Sequence, residues 1–166
     1  DYFDAGSNVV CTNTFGANSL KFEKNELENI IMSAVFNAKT ARDLSKNKAE
    51  KFVALDIGPL GKLLKPLGDL DFEEAVRIFS KTVKLGEKYG ADLVIIETMN
   101  DSYETKAALL AVKENSGLPV VVSNAYDKDG KLMTGATPSA MVALLEGMGA
   151  DMIGANCSLG PDLLTP

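Results

Sequence analysis

Two residues of this chain stand out for the chemistry they can carry, the carboxylate Glu97 and the thiol Cys157. Glu97 directly follows the apolar run 93–96, so it is expected where a strand leaves the core of a sheet. A carboxylate there can bind an amino group, act as a base or coordinate a cation; the alternative is that it caps the next helix or pairs with a lysine. Cys157 follows the apolar run 152–155 and can be a nucleophile or a metal ligand, with a buried, inert cysteine as the alternative.

The residue types that are missing or scarce narrow the chemistry further. The chain contains no histidine, which excludes, within it, every catalytic scheme or metal site that needs an imidazole. The other cysteine, Cys11, lies inside an apolar strand and is predicted to be buried and inert. Two cysteines form at most one disulfide, which is not the cysteine density of a small secreted scaffold.

The overall composition bounds the class of protein. Seventeen basic against 23 acidic side chains give a net charge of −6, so no basic excess is available to neutralise phosphates. A general nucleic-acid binder or a binder of anionic membranes is therefore not expected. No apolar run approaches the ~20 residues that span a bilayer, and no charged-then-apolar leader opens the chain. These features predict a soluble, cytoplasmic protein.

The elements that position these residues are read from hydrophobic periodicity and turn signals. Strands are predicted over 9–11, 52–55, 93–96, 119–122 and 152–155, and helices, counted with their capping residues, over about 25–45, 71–90, 101–116 and 137–149.

Capping signals support two of these helices in particular. Asp71 with Glu74, and Asp101 with Glu104, have the spacing of an N-cap residue and its capping-box partner. Gly90 is placed to end the second helix in a left-handed conformation.

Alternating strands and helices predict a parallel α/β sheet, and the continuous apolar runs predict strands that are buried on both faces. Two architectures fit: an open doubly wound domain, or five consecutive units of an eight-unit barrel that typically needs about 250 residues. The opening residues 1–6 are typical of the last turn of a helix, which favours the barrel. Both architectures place ligands at the carboxyl ends of the strands, where the polar residues are Thr12, Asn13, Thr14, Asp56, Glu97, Thr98, Ser123, Asn124, Asn156 and Cys157.

Four segments carry a resemblance to a known family. They are Thr-Asn-Thr-Phe-Gly-Ala at 12–17, Asp-Ile-Gly-Pro-Leu-Gly at 56–61, Ile-Glu-Thr at 96–98 and Gly-Ala-Asn-Cys-Ser-Leu-Gly-Pro at 154–161. In this order and at these strand ends, they resemble the homocysteine S-methyltransferase superfamily. The likeness is greatest to the homocysteine-binding barrel of cobalamin-dependent methionine synthase.

The resemblance implies a (β/α)8 barrel, also called a TIM barrel, in which three cysteine thiolates hold a zinc ion and the sulfur of homocysteine completes the tetrahedron. By motif, Cys157 matches the first zinc thiolate and Glu97 matches the residue that holds the homocysteine amino group. Thr14 lies in a segment that contacts substrate in relatives. The implied methyl donor is methylcobalamin charged from methyltetrahydrofolate. The implied partners are then homocysteine and the cobalamin- and folate-binding modules of the same parent protein.

The departures from the family pattern are equally specific. The family's first strand and the later Gly-Gly-Cys-Cys segment, which supplies the other two thiolates, do not occur in residues 1–166. The resemblance therefore implies an incomplete barrel of about strands two to six of eight, inactive as an isolated segment. Two alternatives remain open: a pterin-binding barrel enzyme of one-carbon metabolism without zinc, and a non-catalytic open α/β binding module.

Overall fold

The structure is a computed structural model that describes residues 1–163. In this part of the chain every predicted strand and helix is present, with bounds that differ from the predicted ones by at most three residues. The elements are β1 (Val9–Cys11), α1 (Lys24–Leu44), β2 (Phe52–Ile57), α2 (Phe72–Tyr89), β3 (Leu93–Met99), α3 (Ser102–Asn115), β4 (Val120–Asn124), α4 (Pro138–Gly147) and β5 (Met152–Ala155).

The strands form one parallel sheet in the order β1-β2-β3-β4-β5, so spatial neighbours are also neighbours along the chain. A doubly wound sheet reverses its strand order at a switch point, and the described sheet has no such reversal. Stepwise addition of one strand per βα unit is the topology of a (β/α)8 barrel. The prediction of a partial barrel is therefore confirmed, and the open doubly wound alternative is wrong.

The four helices cover one face of the sheet, called here the covered face. Helix α1 buries Leu27, Ile31 and Val35, which recur every four residues along one side of the helix. Helix α2 packs close to β2 because Gly86 has no side chain; a Cβ there would lie 2.4 Å from a Leu55 methyl carbon. The strand side chains buried in the same core are Leu55, Ile57, Val94, Ile96, Met99, Val120 and Val122.

The opposite face, called here the open face, is defined by the alternate strand positions. Val9 is 41% exposed and Met152 is 58% exposed. The prediction of strands buried on both faces is therefore wrong for the edge strands β1 and β5, because all four helices lie on one side and no element of residues 1–163 packs on the other; in β2 the open-face residues Ala54 and Asp56 are buried. The side chains of the open face are Val9, Cys11, Phe52, Ala54, Asp56, Leu93, Ile95, Glu97, Val121, Ser123 and Met152.

The helix caps agree with the sequence at some positions and differ at others. The Asp101 carboxylate accepts a hydrogen bond from the Tyr103 N–H at 2.8 Å, and Gly90 ends α2 in the left-handed region at φ 88°. Asp71 makes no capping bond, because its carboxylate pairs with the Lys65 ammonium at 2.9 Å.

Glu104 is not a capping-box partner either. Its carboxylate is buried and accepts the Leu60 N–H at 2.7 Å, because a buried backbone donor must find an acceptor. This bond attaches the loop after β2 to helix α3.

None of the helices in the described part of the chain combines the length and the apolar character that a bilayer span requires.

Candidate functional site

Seven of the ten polar residues at the carboxyl ends of the strands form two groups. The closed corner consists of Thr12, Thr14 and Asp56, at the ends of β1 and β2. The open corner consists of Thr98, Ser123, Asn156 and Cys157, at the ends of β3, β4 and β5. Glu97 belongs to neither group and lies on the open face beside both.

The closed corner is a chain of hydrogen bonds that joins β1 to β2. The Thr14 hydroxyl donates to the Asp56 carbonyl at 2.8 Å, and it lies 2.6 Å from the Thr12 hydroxyl oxygen. That oxygen in turn accepts the Asp56 N–H at 3.1 Å. Both threonines are 2% exposed, so their hydroxyls bond to other groups of the chain and are shielded from solvent. The predicted substrate contact of Thr14 is not tested by this placement and stays a prediction.

The Asp56 carboxyl group is the least expected member of this corner. It is 7% exposed, and its Oδ1 atom has no hydrogen-bond partner. Burial, and secondarily the negative charge of Glu97, raise the pKa of Asp56 to about 7. Asp56 pairs in register with Ile95, two positions before Glu97, so the two carboxyl groups share the open face on neighbouring strands. The sequence places Asp56 at a strand end, but it contains no signal that the group is buried without a partner.

Glu97 stands at an irregularity of β3, where the register with β4 shifts between Ile96 and Met99. Such bulges redirect a side chain and occur next to active sites. Glu97 neither caps the next helix nor pairs with a lysine. Asp101 caps α3, and no basic side chain of residues 1–163 pairs with Glu97. A partly exposed carboxylate without a protein partner is suited to bind a cationic group.

Cys11 lies on the same open face as Glu97. Its side chain is exposed, so the prediction of a buried cysteine is wrong; as an edge-strand residue on the open face it is covered by no helix. Desolvation by the atoms around the thiol, followed by the charges of Asp56 and Glu97, raises its pKa to about 11. Because the thiolate is the reactive form, Cys11 is still expected to be unreactive.

The open corner is organised by the side chain of Asn156. Its Oδ1 atom accepts the Thr98 N–H at 3.1 Å and the Ser123 hydroxyl at 3.0 Å. Its Nδ2 atom donates to the Thr98 hydroxyl at 2.9 Å and to the Cys157 sulfur at 3.4 Å. One amide thereby connects the ends of three neighbouring strands.

Two residues bonded to Asn156 have strained backbones. Thr98 and Cys157 lie in the left-handed region at φ 60° and 68°, where residues other than glycine are uncommon and β-branched ones are outliers. Such conformations cost roughly 1–3 kcal/mol each and concentrate at functional sites. The Thr98 hydroxyl is 3.5 Å from the Cys157 sulfur.

Cys157 is exposed, so the alternative of a buried, inert cysteine is not observed. Among residues 1–163 no three metal-ligating side chains lie close enough together to hold an ion. The surroundings of Cys157 nevertheless suit a single thiolate ligand, because an N–H donor to the sulfur is the kind of contact that orients metal-bound thiolates.

The comparison with protein families gives a match to the homocysteine S-methyltransferase model over residues 1–166. The chain is 29% identical over 170 residues to methionine synthase of Mycobacterium leprae, which covers 96% of this chain and 14% of that protein. It is 27% identical over 171 residues to methionine synthase of Mycobacterium tuberculosis, with coverage of 97% and 14%. The chain thus spans about one seventh of the methionine synthases that it matches.

Solved structures support the fold. The apo form of the homocysteine methyltransferase MmuM from Escherichia coli superposes with a TM-score of 0.81 at 23% identity, over 97% of this chain and 60% of that one. The metallated form gives a TM-score of 0.82 at 22% identity, over 94% and 60%. At this identity the likeness shows a shared architecture, and the chain matches about three fifths of the MmuM chain.

Proposed function

This chain belongs to the homocysteine S-methyltransferase family, and from that premise we propose that it supplies the substrate-binding arc of an enzyme that methylates the sulfur of homocysteine to give methionine. Family membership makes the chain part of a methyltransferase and replaces the two alternatives, the pterin-binding barrel enzyme and the non-catalytic binding module. The observation that carries the proposal is the juxtaposition of an unpaired carboxylate and an exposed sulfur, because Thr98, the residue after Glu97, contacts Cys157.

The pairing of these groups suits an amino acid that carries a thiol. We assign Glu97 to the ammonium group of homocysteine, since an ion pair with a charged hydrogen bond fixes the backbone end of the substrate. Homocysteine then extends towards the open corner with its sulfur. The open face offers the space, because none of the described elements packs against it.

Cys157 is assigned as one ligand of a zinc ion, with two further cysteine ligands outside residues 1–166. When bound, zinc keeps the sulfur of homocysteine as a thiolate at neutral pH, and the thiolate is the form that attacks a methyl donor. Within this chain the contribution of Cys157 is to hold the ion, and that of Glu97 is to orient the substrate.

Thr14 is assigned an indirect part in the same site. Its buried hydroxyl fixes the Asp56 backbone, and Asp56 shares the open face with Glu97. This supports a role in which the Thr14 segment shapes the substrate pocket through its backbone and through Asp56.

We propose methylcobalamin, charged from methyltetrahydrofolate, as the methyl donor. The support is the similarity to two methionine synthases, proteins about seven times the length of the matched region. In this proposal residues 1–166 are strands two to six of an incomplete (β/α)8 barrel. The modules that bind cobalamin and folate lie elsewhere in the same parent protein.

The test compares Glu97→Gln, Cys157→Ser and the control Cys11→Ser in the full-length protein. Glu97→Gln should raise the KM for homocysteine about tenfold to a hundredfold, the worth of a charged hydrogen bond. It should leave the KM for 4-mercaptobutyrate, which lacks the amino group, unchanged. Cys157→Ser should remove most of the bound zinc and the turnover, whereas Cys11→Ser should change neither.

Methionine formation and metal content measured on the same samples decide the outcome. Retention of zinc and turnover in Cys157→Ser contradicts the ligand assignment. An equal rise of KM for both thiols in Glu97→Gln contradicts the ammonium assignment.

A further inference from the structure

The side chain of Asn156 uses every hydrogen-bonding position that it has. A primary amide offers two N–H donors and two acceptor lone pairs. The acceptors take the Thr98 N–H and the Ser123 hydroxyl, and the donors go to the Thr98 hydroxyl and the Cys157 sulfur. The pattern also fixes which way the amide points, because the reversed orientation would set its NH2 group against the Thr98 N–H.

These bonds reach across the sheet. Asn156 follows β5, Ser123 belongs to β4 and Thr98 belongs to β3, so one side chain spans the ends of three adjacent strands. Its backbone continues the pairing, since the Asn156 N–H donates to the Asn124 carbonyl at 3.2 Å. The Asn156 amide therefore links the Cys157 sulfur to β3, beside the direct contact of that sulfur with the Thr98 hydroxyl.

The residues that Asn156 holds are the two strained ones. Thr98 and Cys157 are the non-glycine residues at positive φ in the described chain, and both accept a hydrogen bond from the same amide nitrogen. A left-handed backbone at Cys157 turns its side chain away from the direction that an extended strand would give it. The other described contact between Cys157 and β3 is that of its sulfur with the Thr98 hydroxyl at 3.5 Å, and the Asn156 amide holds that hydroxyl as well.

We propose that Asn156 is the positioning residue of the site. Its amide fixes the Cys157 sulfur against the end of β3, so that the spacing between sulfur and the Glu97 carboxylate is set before metal and substrate arrive. The inference deepens the proposed function and rests on it for the identity of the metal and the substrate. The positioning itself depends only on contacts within this chain.

The test compares three variants of the full-length protein. Asn156→Asp keeps the shape and the two acceptor positions and loses both N–H donors. Asn156→Ala removes all four bonds and adds no charge beside the sulfur. Ser123→Ala is the matched control, because it removes one bond to Oδ1 and leaves the contact with sulfur in place.

The measurements are zinc affinity, by competition with a chromophoric chelator, and the sulfur-to-metal absorption band of the Co²⁺-substituted protein. Both Asn156 variants should bind zinc roughly tenfold to a hundredfold more weakly, the range found for residues that orient metal ligands. The Co²⁺ band should shift or weaken in both. Ser123→Ala should stay within about threefold of the original affinity, since the orienting donor is retained.

A merely structural role would lower the melting temperature and leave the zinc affinity and Co²⁺ spectrum of the folded protein unchanged. Folded Asn156 variants with unchanged affinity and spectrum overturn the inference, provided that Cys157→Ser loses zinc. If Cys157→Ser also keeps its zinc, the ligand assignment of the proposed function fails instead, so the two failures are distinguished. Should Asn156→Ala not fold, Asn156→Asp decides alone.

Discussion

The closed corner and the open corner both contain hydroxyl groups that make hydrogen bonds, but the bonds serve different purposes at the two corners. At the closed corner the hydroxyls of Thr12 and Thr14 bond to each other and to the Asp56 backbone, and both residues are almost fully buried. At the open corner the amide of Asn156 makes four hydrogen bonds, yet the sulfur of Cys157 beside it stays exposed.

The difference separates a hydrogen-bond network that stabilises the fold from one that positions a functional side chain beside it. The closed corner joins two strands, and the Oδ1 atom of its Asp56 is buried without a hydrogen-bond partner. The open corner holds two strained residues so that a reactive atom faces outwards. Substitutions at the closed corner should therefore change stability, and those of Asn156 and Cys157 at the open corner should change chemistry more than stability.

The largest stability effect is expected from Asp56→Asn. Folding raises the pKa of this carboxyl from 3.8 to about 7, so the folded state prefers the protonated form. The associated stability is fully present below about pH 4 and is lost as the pH rises through 7. Three pKa units correspond to about 4 kcal/mol as an upper bound. Asp56→Asn, which cannot ionise, should be about 2–4 kcal/mol more stable than the original protein at pH 8 and equal to it at pH 4.

Urea unfolding at pH 4, 6 and 8 measures this effect, with Asp129→Asn at an exposed loop position as the control. Some pH dependence should persist in Asp56→Asn, because burial also raises the pKa of Glu104 to about 7. Identical pH profiles for Asp56→Asn and the original protein would show that the closed corner does not disfavour the ionised form of Asp56.

An intermediate effect is expected from Thr14→Val. The substitution keeps the shape, leaves the buried Asp56 carbonyl without its donor and removes one of the two hydrogen bonds of the Thr12 hydroxyl, which costs about 1–3 kcal/mol. Thr14→Ser, which retains the hydroxyl, should recover most of that loss. The free energy of unfolding of these two variants, set beside that of Ser123→Ala at the open corner, gives the comparison directly. A greater loss in Ser123→Ala than in Thr14→Val would reverse the roles assigned to the two corners.

The smallest effect on stability is expected when glycine and alanine are compared at Cys157 and at Cys11, where the difference should have opposite signs. At Cys157 the positive φ favours glycine, so Cys157→Gly should be more stable than Cys157→Ala by about 1 kcal/mol. At Cys11, inside strand β1, the order should invert, with Cys11→Gly about 0.5–1 kcal/mol less stable than Cys11→Ala. Thermal unfolding of the four variants checks both signs. The same order at the two positions would mean that the left-handed backbone at Cys157 carries no strain.

Much of the fold follows from the sequence because the signals are local. Apolar runs and turn residues located all five strands, yet β2, β3 and β4 extend two or three residues beyond the predicted ends. The added residues include Asp56, Glu97 and Ser123, whose polar side chains were taken as the end of each strand. Backbone pairing does not depend on the polarity of the side chain, so the ladder continues through them.

The capping residues mark the limit of local signals. Asp71 and Asp101 occupy equivalent positions in the sequence, but only Asp101 caps its helix, because Lys65 competes for Asp71. Glu104 likewise serves Leu60, which lies 44 positions away in the chain. Such competition is decided by residues that are distant in sequence.

The site shows the same division. Glu97 and Cys157 could be singled out from their type and their position after an apolar run. The bonds of Asn156 could not, because they depend on three strand ends meeting within hydrogen-bond distance. The unpartnered state of Asp56 is likewise a property of the packed sheet.

The consecutive strand order also bears on how the chain folds during synthesis. Paired residues of adjacent strands are separated by between 25 positions, for Met99 and Asn124, and 43, for Val9 and Phe52. Because the entropy of closing a loop grows only with the logarithm of its length, these pairings cost nearly the same. Each strand can therefore dock on its predecessor as it leaves the ribosome, without waiting for a distant segment. A sheet assembled in this way grows by one strand at a time, always at the edge formed by the most recent strand.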